Sequence, residues 1–323
     1  MRRKRLLLTL CVALGLAPGT FVRTPMPEPD FSSGLTLTDL ALEEVQIGPF
    51  ALEGAWHLTS ENDHFGGYSA LLYRPDGRLL AGSDAGRLLS LTPPDEGDSK
   101  AVFGAFPNAE NRDKRDVDLE AMTQDTEGGT LWAAYERSNA IDRHADFTQV
   151  GERATPNEMA LWSEFSGPEA MARLADGRFI VLAEQRTRFG GDSHEGLLFP
   201  SDPLTGAEPL VFQLATPDEM RPVDMVPVPD GRVLILLRNY DLLPWPSWHV
   251  VIAVADPGEI EEGENWPIEV FARLDAPIPP DNYEGIALKQ RADGACDIWL
   301  ISDDNFSLFQ RTLLLKLSWA DCF

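Results

Sequence analysis

Short apolar runs alternate with polar punctuation along most of this chain, and the pattern recurs five times. Between Asp281 and Leu317, residues Tyr283 to Leu288 alternate apolar with small or charged side chains. Gln290 to Gly294 supplies turn chemistry, and Ile298 to Ile301 is an apolar run ending in Ser302-Asp303-Asp304-Asn305. Runs of this length bounded by Asp, Asn and Gly read as neighbouring strands of an antiparallel hairpin. The chain goes out and returns, so the start of the first strand and the end of the second share an edge. That puts Glu284 beside Asp303 and Asp304. Weaker copies precede it: Gly67 to Leu71 leads through Asp76-Gly77 to Leu79–Ser83 and Asp84, and Asp118 to Met122 through Gly128-Gly129 to Leu131–Tyr135 and Glu136-Arg137. Gly167 to Met171 leads through Asp176-Gly177 to Phe179–Ala183 and Glu184-Gln185, and Pro222 to Met225 through Asp230-Gly231 to Val233–Leu237 and Arg238-Asn239. Aligning Ser69, Glu120, Glu169, Asp224 and Glu284 gives steps of 51, 49, 55 and 60 residues.

An all-strand repeat of about 40 to 50 residues with a turn in each copy is the mark of a β-propeller blade. The sequence therefore predicts an all-β domain over residues 35–323, a β-propeller of five or six four-stranded blades. Leu35 to Ile47 and Phe50 to Thr59 are strand-like and precede the first full repeat. They are expected to supply outer strands to the last blade and so close the ring, because closure removes exposed sheet edges.

Upstream, Met-Arg-Arg-Lys-Arg followed by Leu6 to Leu16 and small residues has the form of a secretory signal over residues 1–19, with an extended linker over 20–34. The apolar run is too short for a stable membrane anchor, so the mature chain is expected in a periplasmic or secreted compartment, free of the membrane. There Cys296 and Cys322 remain, brought to one edge by strand pairing, and either a disulfide or two thiols is open to them. The net charge of −25, from 27 basic and 52 acidic residues among 323, excludes a nucleic-acid partner, since phosphate backbones are bound through Lys and Arg. An acidic surface is by itself only a soluble one.

In a propeller the first strand of each blade lines the central channel, so the aligned stations form a ring at one mouth. The ring is predicted to hold Glu120 with Glu136, Glu169 with Glu184, Asp224 with Arg238, Glu284 with Asp303 and Asp304, and Asp84 near Ser69. Converging carboxylates need a counter-charge, and hard oxygen ligands suit Ca²⁺ or Mg²⁺. The other reading is that these acids hydrogen-bond backbone amides of the next blade and hold the ring in register. Arg137, Arg186, Arg188, Arg238 and Arg311 flank the same rim and could bind an anionic substrate group or neutralise the acids. Polar loops 110–116 and 186–195 are long enough to overhang a channel mouth, and 241–248, with Pro244, Trp245, Pro246 and Trp248, is expected to be a loop that exposes aromatic side chains. The five histidines are scattered without zinc spacing, and neither a phosphate-binding loop nor a nucleophile elbow is present.

Gly66-Gly-Tyr-Ser-Ala-Leu71, Asp118-Leu-Glu-Ala-Met122, Gly167-Pro-Glu-Ala-Met171, Asn282-Tyr-Glu-Gly-Ile286 and Ser302-Asp-Asp-Asn-Phe306 with Gln310-Arg-Thr312 resemble the bacterial phytase-like family, labelled "esterase-like activity of phytase", over roughly residues 48 to 318. The resemblance implies an exported β-propeller that hydrolyses phosphate monoesters with Ca²⁺. Its ligands would come from Glu120, Glu136, Glu169, Glu184, Asp224, Glu284, Asp303 and Asp304, with Arg186 or Arg238 orienting a small phosphate ester. A monomer is expected. Glu-Ala replaces the family's Glu-Gly twice, and Arg238-Asn239 replaces a Glu-Arg pair, which bears on catalysis more than on fold. The alternatives are a non-catalytic propeller that binds a ligand or partner around a structural metal, and a lactonase-like use of the same carboxylates.

Overall fold

Each Asp-Gly turn closes a hairpin, and the glycine takes a backbone conformation that side chains disfavour: Gly177 sits at φ 91° between two paired strands. The computed structural model describes residues 2–21, 28–97, 100–107, 116–145, 149–187, 192–241 and 247–322. Arg188, the span 110–115 and Pro244-Trp245-Pro246 lie outside the described residues.

The hairpins extend into five antiparallel sheets. Blade 1 is β4 (Tyr68–Tyr73), β5 (Leu79–Ser83), β6 (Arg87–Leu91) and β7 (Ala101–Ala105). Blade 2 is β8 (Leu119–Gln124), β9 (Leu131–Tyr135), β10 (Ala140–His144) and β11 (Glu152–Ala154). Blade 3 is β12 (Pro168–Arg173), β13 (Phe179–Arg186), β14 (Ser193–Phe199) and β15 (Leu210–Ala215). Blade 4 is β16 (Arg221–Pro227), β17 (Val233–Asp241), β18 (Ser247–Ala255) and β19 (Glu269–Arg273). Blade 5 is β20 (Tyr283–Gln290), β21 (Cys296–Ser302) and β22 (Thr312–Trp319), completed by β3 (Phe50–Thr59), with β1 (Thr36–Asp39) and β2 (Gln46–Ile47) on its outer side. Pairing of β22 with β3 runs from Thr312↔Leu58 to Trp319↔Phe50. The N-terminal strand thus closes the ring, and the blade number is five.

Apolar packing explains why the second strands read as unbroken apolar runs. A blade buries both of its faces, so every side chain of β21 is buried. Five apolar clusters fill the five spaces between consecutive blades, that between blades 5 and 1 joining Trp299, Ile301 and Leu314 to Tyr68, Leu71 and Leu79. Each such side chain contributes roughly 1.5–3 kcal/mol on burial. Strands β4, β8, β12, β16 and β20 pack against one another around the axis, β20 returning to β4. A disulfide joins Cys296 at the start of β21 to Cys322, with Cα atoms 5.7 Å apart. Upstream, α1 (Arg2–Phe21) precedes the propeller, and among the described residues no helix is long and apolar enough to cross a membrane.

Candidate active site at the acidic channel mouth

In every blade the innermost strand pair carries a bulge near its start, between Tyr68 and Ala70, Leu119 and Ala121, Pro168 and Ala170, Pro222 and Asp224, and Tyr283 and Gly285. A bulge leaves one residue out of the ladder and re-aims its side chain. The bulged residues are Ser69, Glu120, Glu169, Val223 and Glu284. Asp224 therefore stands one position beyond the station at which the sequence alignment put it. Its buried carboxylate accepts the amide of Ile286 at 2.8 Å and its own neighbour Met225 at 2.8 Å, and the amide of Leu71 as well. Blade 4 is in this way tied to blades 5 and 1. Burial pushes the Asp224 carboxyl well up, and those three amides pull against the rise.

A second series of stations follows the second strands. The amides of Asp84, Glu136, Glu184 and Asp303 donate to the carbonyls of Gly67, Asp118, Gly167 and Asn282 at 2.8–2.9 Å. In blade 4 the same place, opposite Arg221, is taken by Arg238. The mouth is thus ringed by four carboxylates and one guanidinium at this level, with Glu120, Glu169 and Glu284 at the level of the bulges.

These groups meet. Asp118, Glu120 and Glu136 each bring an oxygen to a point where all lie within 4.8 Å of one another. Arg238 Nη2 is 2.7 Å from Glu284 Oε1 and 3.7 Å from Glu184 Oε1, so blade 4 supplies positive charge to its neighbours on both sides. Asn282 Nδ2 donates to Glu284 Oε1 at 2.8 Å, Arg221 Nη1 pairs with Glu184 Oε2 at 2.9 Å, and Arg137 pairs with Asp118. The ring of Trp248 lies 5.2 Å from the Arg238 guanidinium and 4.6 Å from Tyr240, which holds Arg238 over the mouth.

Arg238, Arg221 and Arg137 do not compensate this many acids. Burial pushes Glu120 far above the ordinary carboxylate range, reinforced by Glu284, Glu136, Asp118 and Asp84. Glu169 rises likewise through burial and through Glu120, Glu184 and Glu136, with Arg238 pulling it back. Glu136 is pushed up to about 7 by burial, Asp118 and Glu184. Burial raises Glu284 against the pull of Arg238 and Asn282, and raises Asp303 with help from the Glu284 charge. A site whose acids must hold protons for want of counter-charge is chemically disposed to a cation. Its donor set is all carboxylate oxygen, which fits a hard divalent ion such as Ca²⁺.

Two predicted residues have other engagements. Asp304 accepts the amides of Gly67 and Phe306, each at 3.0 Å, and the Thr312 hydroxyl at 3.1 Å, anchoring the blade 5 turn to blade 1. Gly67 permits that approach, since a Cβ there would stand 2.6 Å from Asp84 Oδ1 and from the Phe306 ring. Arg186 Nη1 turns to Glu219 Oε2 at 3.1 Å, in the turn between blades 3 and 4. Asp118, Asn282 and Arg221 were not among the predicted site residues. Asp118 was legible, because it stands two residues before Glu120 and strand side chains repeat with period two; Arg221 was not, since its partner Glu184 belongs to another blade.

The sequence model of a family described as "Phytase-like: Esterase-like activity of phytase" matches residues 63–306. No curated protein matches the chain significantly. Among solved structures, the PQQ-bound form of aldose sugar dehydrogenase from Streptomyces coelicolor aligns over 90% of this chain and 99% of its own, with a TM-score of 0.44 and 11% identity.

Proposed function

The chain belongs to the phytase-like family, and from that premise we propose that its acidic channel mouth is a Ca²⁺-dependent site for hydrolysing a small phosphate monoester. The observation that carries the reading is the meeting of Asp118, Glu120 and Glu136 within 4.8 Å, with Glu120 and Glu136 both displaced upward. Asp118, Glu120 and Glu136 would hold the ion, backed by Glu169, Glu184, Glu284 and Asp303. A bound Ca²⁺ would supply Lewis-acid polarisation of a phosphoryl oxygen and the positive charge these carboxylates lack. In the metal-free site Glu136 is pushed up to about 7 by burial, Asp118 and Glu184, and a bound cation would favour its ionised, ligating form. Arg238 lies close enough to the ring to steer a phosphate, provided the anion shares it with Glu284. An exported location is supported by the basic and apolar N-terminus and by the Cys296–Cys322 disulfide.

The engagement of Arg238 and Arg221 by Glu284 and Glu184 favours a second reading, in which the ion only braces a ligand-binding propeller. Hydrolysis of p-nitrophenyl phosphate and of phytate, measured in EDTA and after restoring Ca²⁺, separates the two. Activity that disappears and returns, and that Glu120→Gln and Glu136→Gln abolish while the fold persists, supports the phosphoesterase. A melting temperature that responds to Ca²⁺ without turnover moves the assignment to the binding propeller, and turnover of carbon esters alone moves it to a lactonase-like activity.

A further inference from the structure

At the other end of the channel, where the innermost strands finish, lies a cavity of about 650 Å³. We propose that it is a second binding site, for an apolar small molecule carrying one anionic group. All five blades contribute to its wall. Leu71, Met122, Met225 and Ile286 form an apolar floor, and unbranched methionines suit a lining that must adapt to a ligand. The size falls within the range of sites for small organic molecules, which are mostly apolar with a few convergent polar groups.

The floor separates this site from the acidic mouth. The amides of Leu71, Met225 and Ile286 are the three that the Asp224 carboxylate accepts, so the wall between the two ends is pinned by hydrogen bonds. Arg74, Arg173, Gln124 and Asp125 stand among the lining residues. Asp125 is spent on its own turn, accepting the amides of Gly129 at 2.8 Å and Thr130 at 3.0 Å. Arg74 Nη1 donates to Gln124 Oε1 at 2.6 Å, which ties blade 1 to blade 2 and holds the guanidinium at the cavity. The Arg173 guanidinium lies 5.8 Å from the ring of Trp132, and among the described residues no carboxylate pairs with it. Asp76 and Asp125 both attract the Arg74 guanidinium, so the positive charge the cavity offers a ligand is that of Arg173. Apolar contact would hold the body of the ligand and the guanidinium its anion.

Decanoate and 1-decanol are the probes, titrated by calorimetry into the full chain in EDTA. Decanoate is expected to bind at least tenfold more tightly than the alcohol. Arg173→Gln should lower decanoate affinity about tenfold, equivalent to about 1.4 kcal/mol, and leave decanol unchanged, while Arg173→Lys retains part of the preference. Pro229→Glu, at the exposed edge of the cavity, places a carboxylate there without touching Arg173 and should weaken decanoate similarly. Glu120→Gln, at the far mouth, should change neither. Equal binding of acid and alcohol, decanoate affinity indifferent to both cavity variants, or no decanoate binding up to its solubility would overturn the proposal.

Discussion

Replacing Arg238 by methionine would remove the one guanidinium that reaches both Glu284 and Glu184 while keeping an apolar stem against Trp248. Taking away one partner of a buried ion pair leaves the other uncompensated, at a cost of about 3–5 kcal/mol. The Arg238 side chain keeps 18% of its exposure, so the lower end, about 3 kcal/mol, is expected. For a chain of this size that is roughly 2 °C in Tm per kcal/mol, or about 6 °C. The loss should depend on pH. A carboxyl whose folded pKa is raised contributes stability at low pH and loses it as pH rises through that value. Glu284 and Glu169 are already raised with Arg238 present, and its removal raises them further. The deficit should therefore be larger at pH 8 than at pH 5, shrinking as pH falls and these groups take up protons. Ca²⁺ should restore much of it at pH 8 by supplying the missing charge. Melting curves followed by circular dichroism, in EDTA at both pH values and then with Ca²⁺, test each step. A variant that melts within 1 °C of wild type at pH 8, or whose deficit is the same at pH 5, would refute the electrostatic account of the mouth.

Glu136, with a folded value of about 7 against its ordinary 4.5, should destabilise the Ca²⁺-free protein progressively as pH rises through that window. Allowing for its partial exposure the effect is about 1.5 kcal/mol, and Glu136→Gln should flatten the pH dependence of Tm; an unchanged slope counts against it. Asp224→Ala leaves the amides of Ile286 and Leu71 without their acceptor at the axis, so a loss of about 3 kcal/mol is expected in chemical denaturation; unchanged stability would show that those amides find other partners. The Cys296–Cys322 bridge closes a separation of 26 residues and should contribute about 3 kcal/mol, read as a lower Tm for the double serine variant. Equal melting of the variant and the oxidised wild type would remove that role.

Much of the fold was legible because it rests on local chemistry. Asp-Gly pairs set hairpins, apolar runs set strands, and the spacing of the copies set the blades. The N-terminal strand's return to β22 was also foreseeable, since an open ring would expose a sheet edge. Asp224 shows where such reasoning stops. Aligning acids with acids is natural on paper, yet which residue bulges is settled by the pairing of β16 with β17, and that pairing put Val223 in the acidic station.

Composition and pattern determined an acidic, all-strand ring and which end of each blade bears carboxylates, because turn preference and strand periodicity act over a few residues. Only the closed ring decided which of those carboxylates meet, which are desolvated, and that Arg238 of blade 4 reaches Glu284 and Glu184 of the blades on either side. Those contacts join residues far apart in sequence, and their energies depend on burial and distance, quantities that come into existence only when five blades pack around one axis.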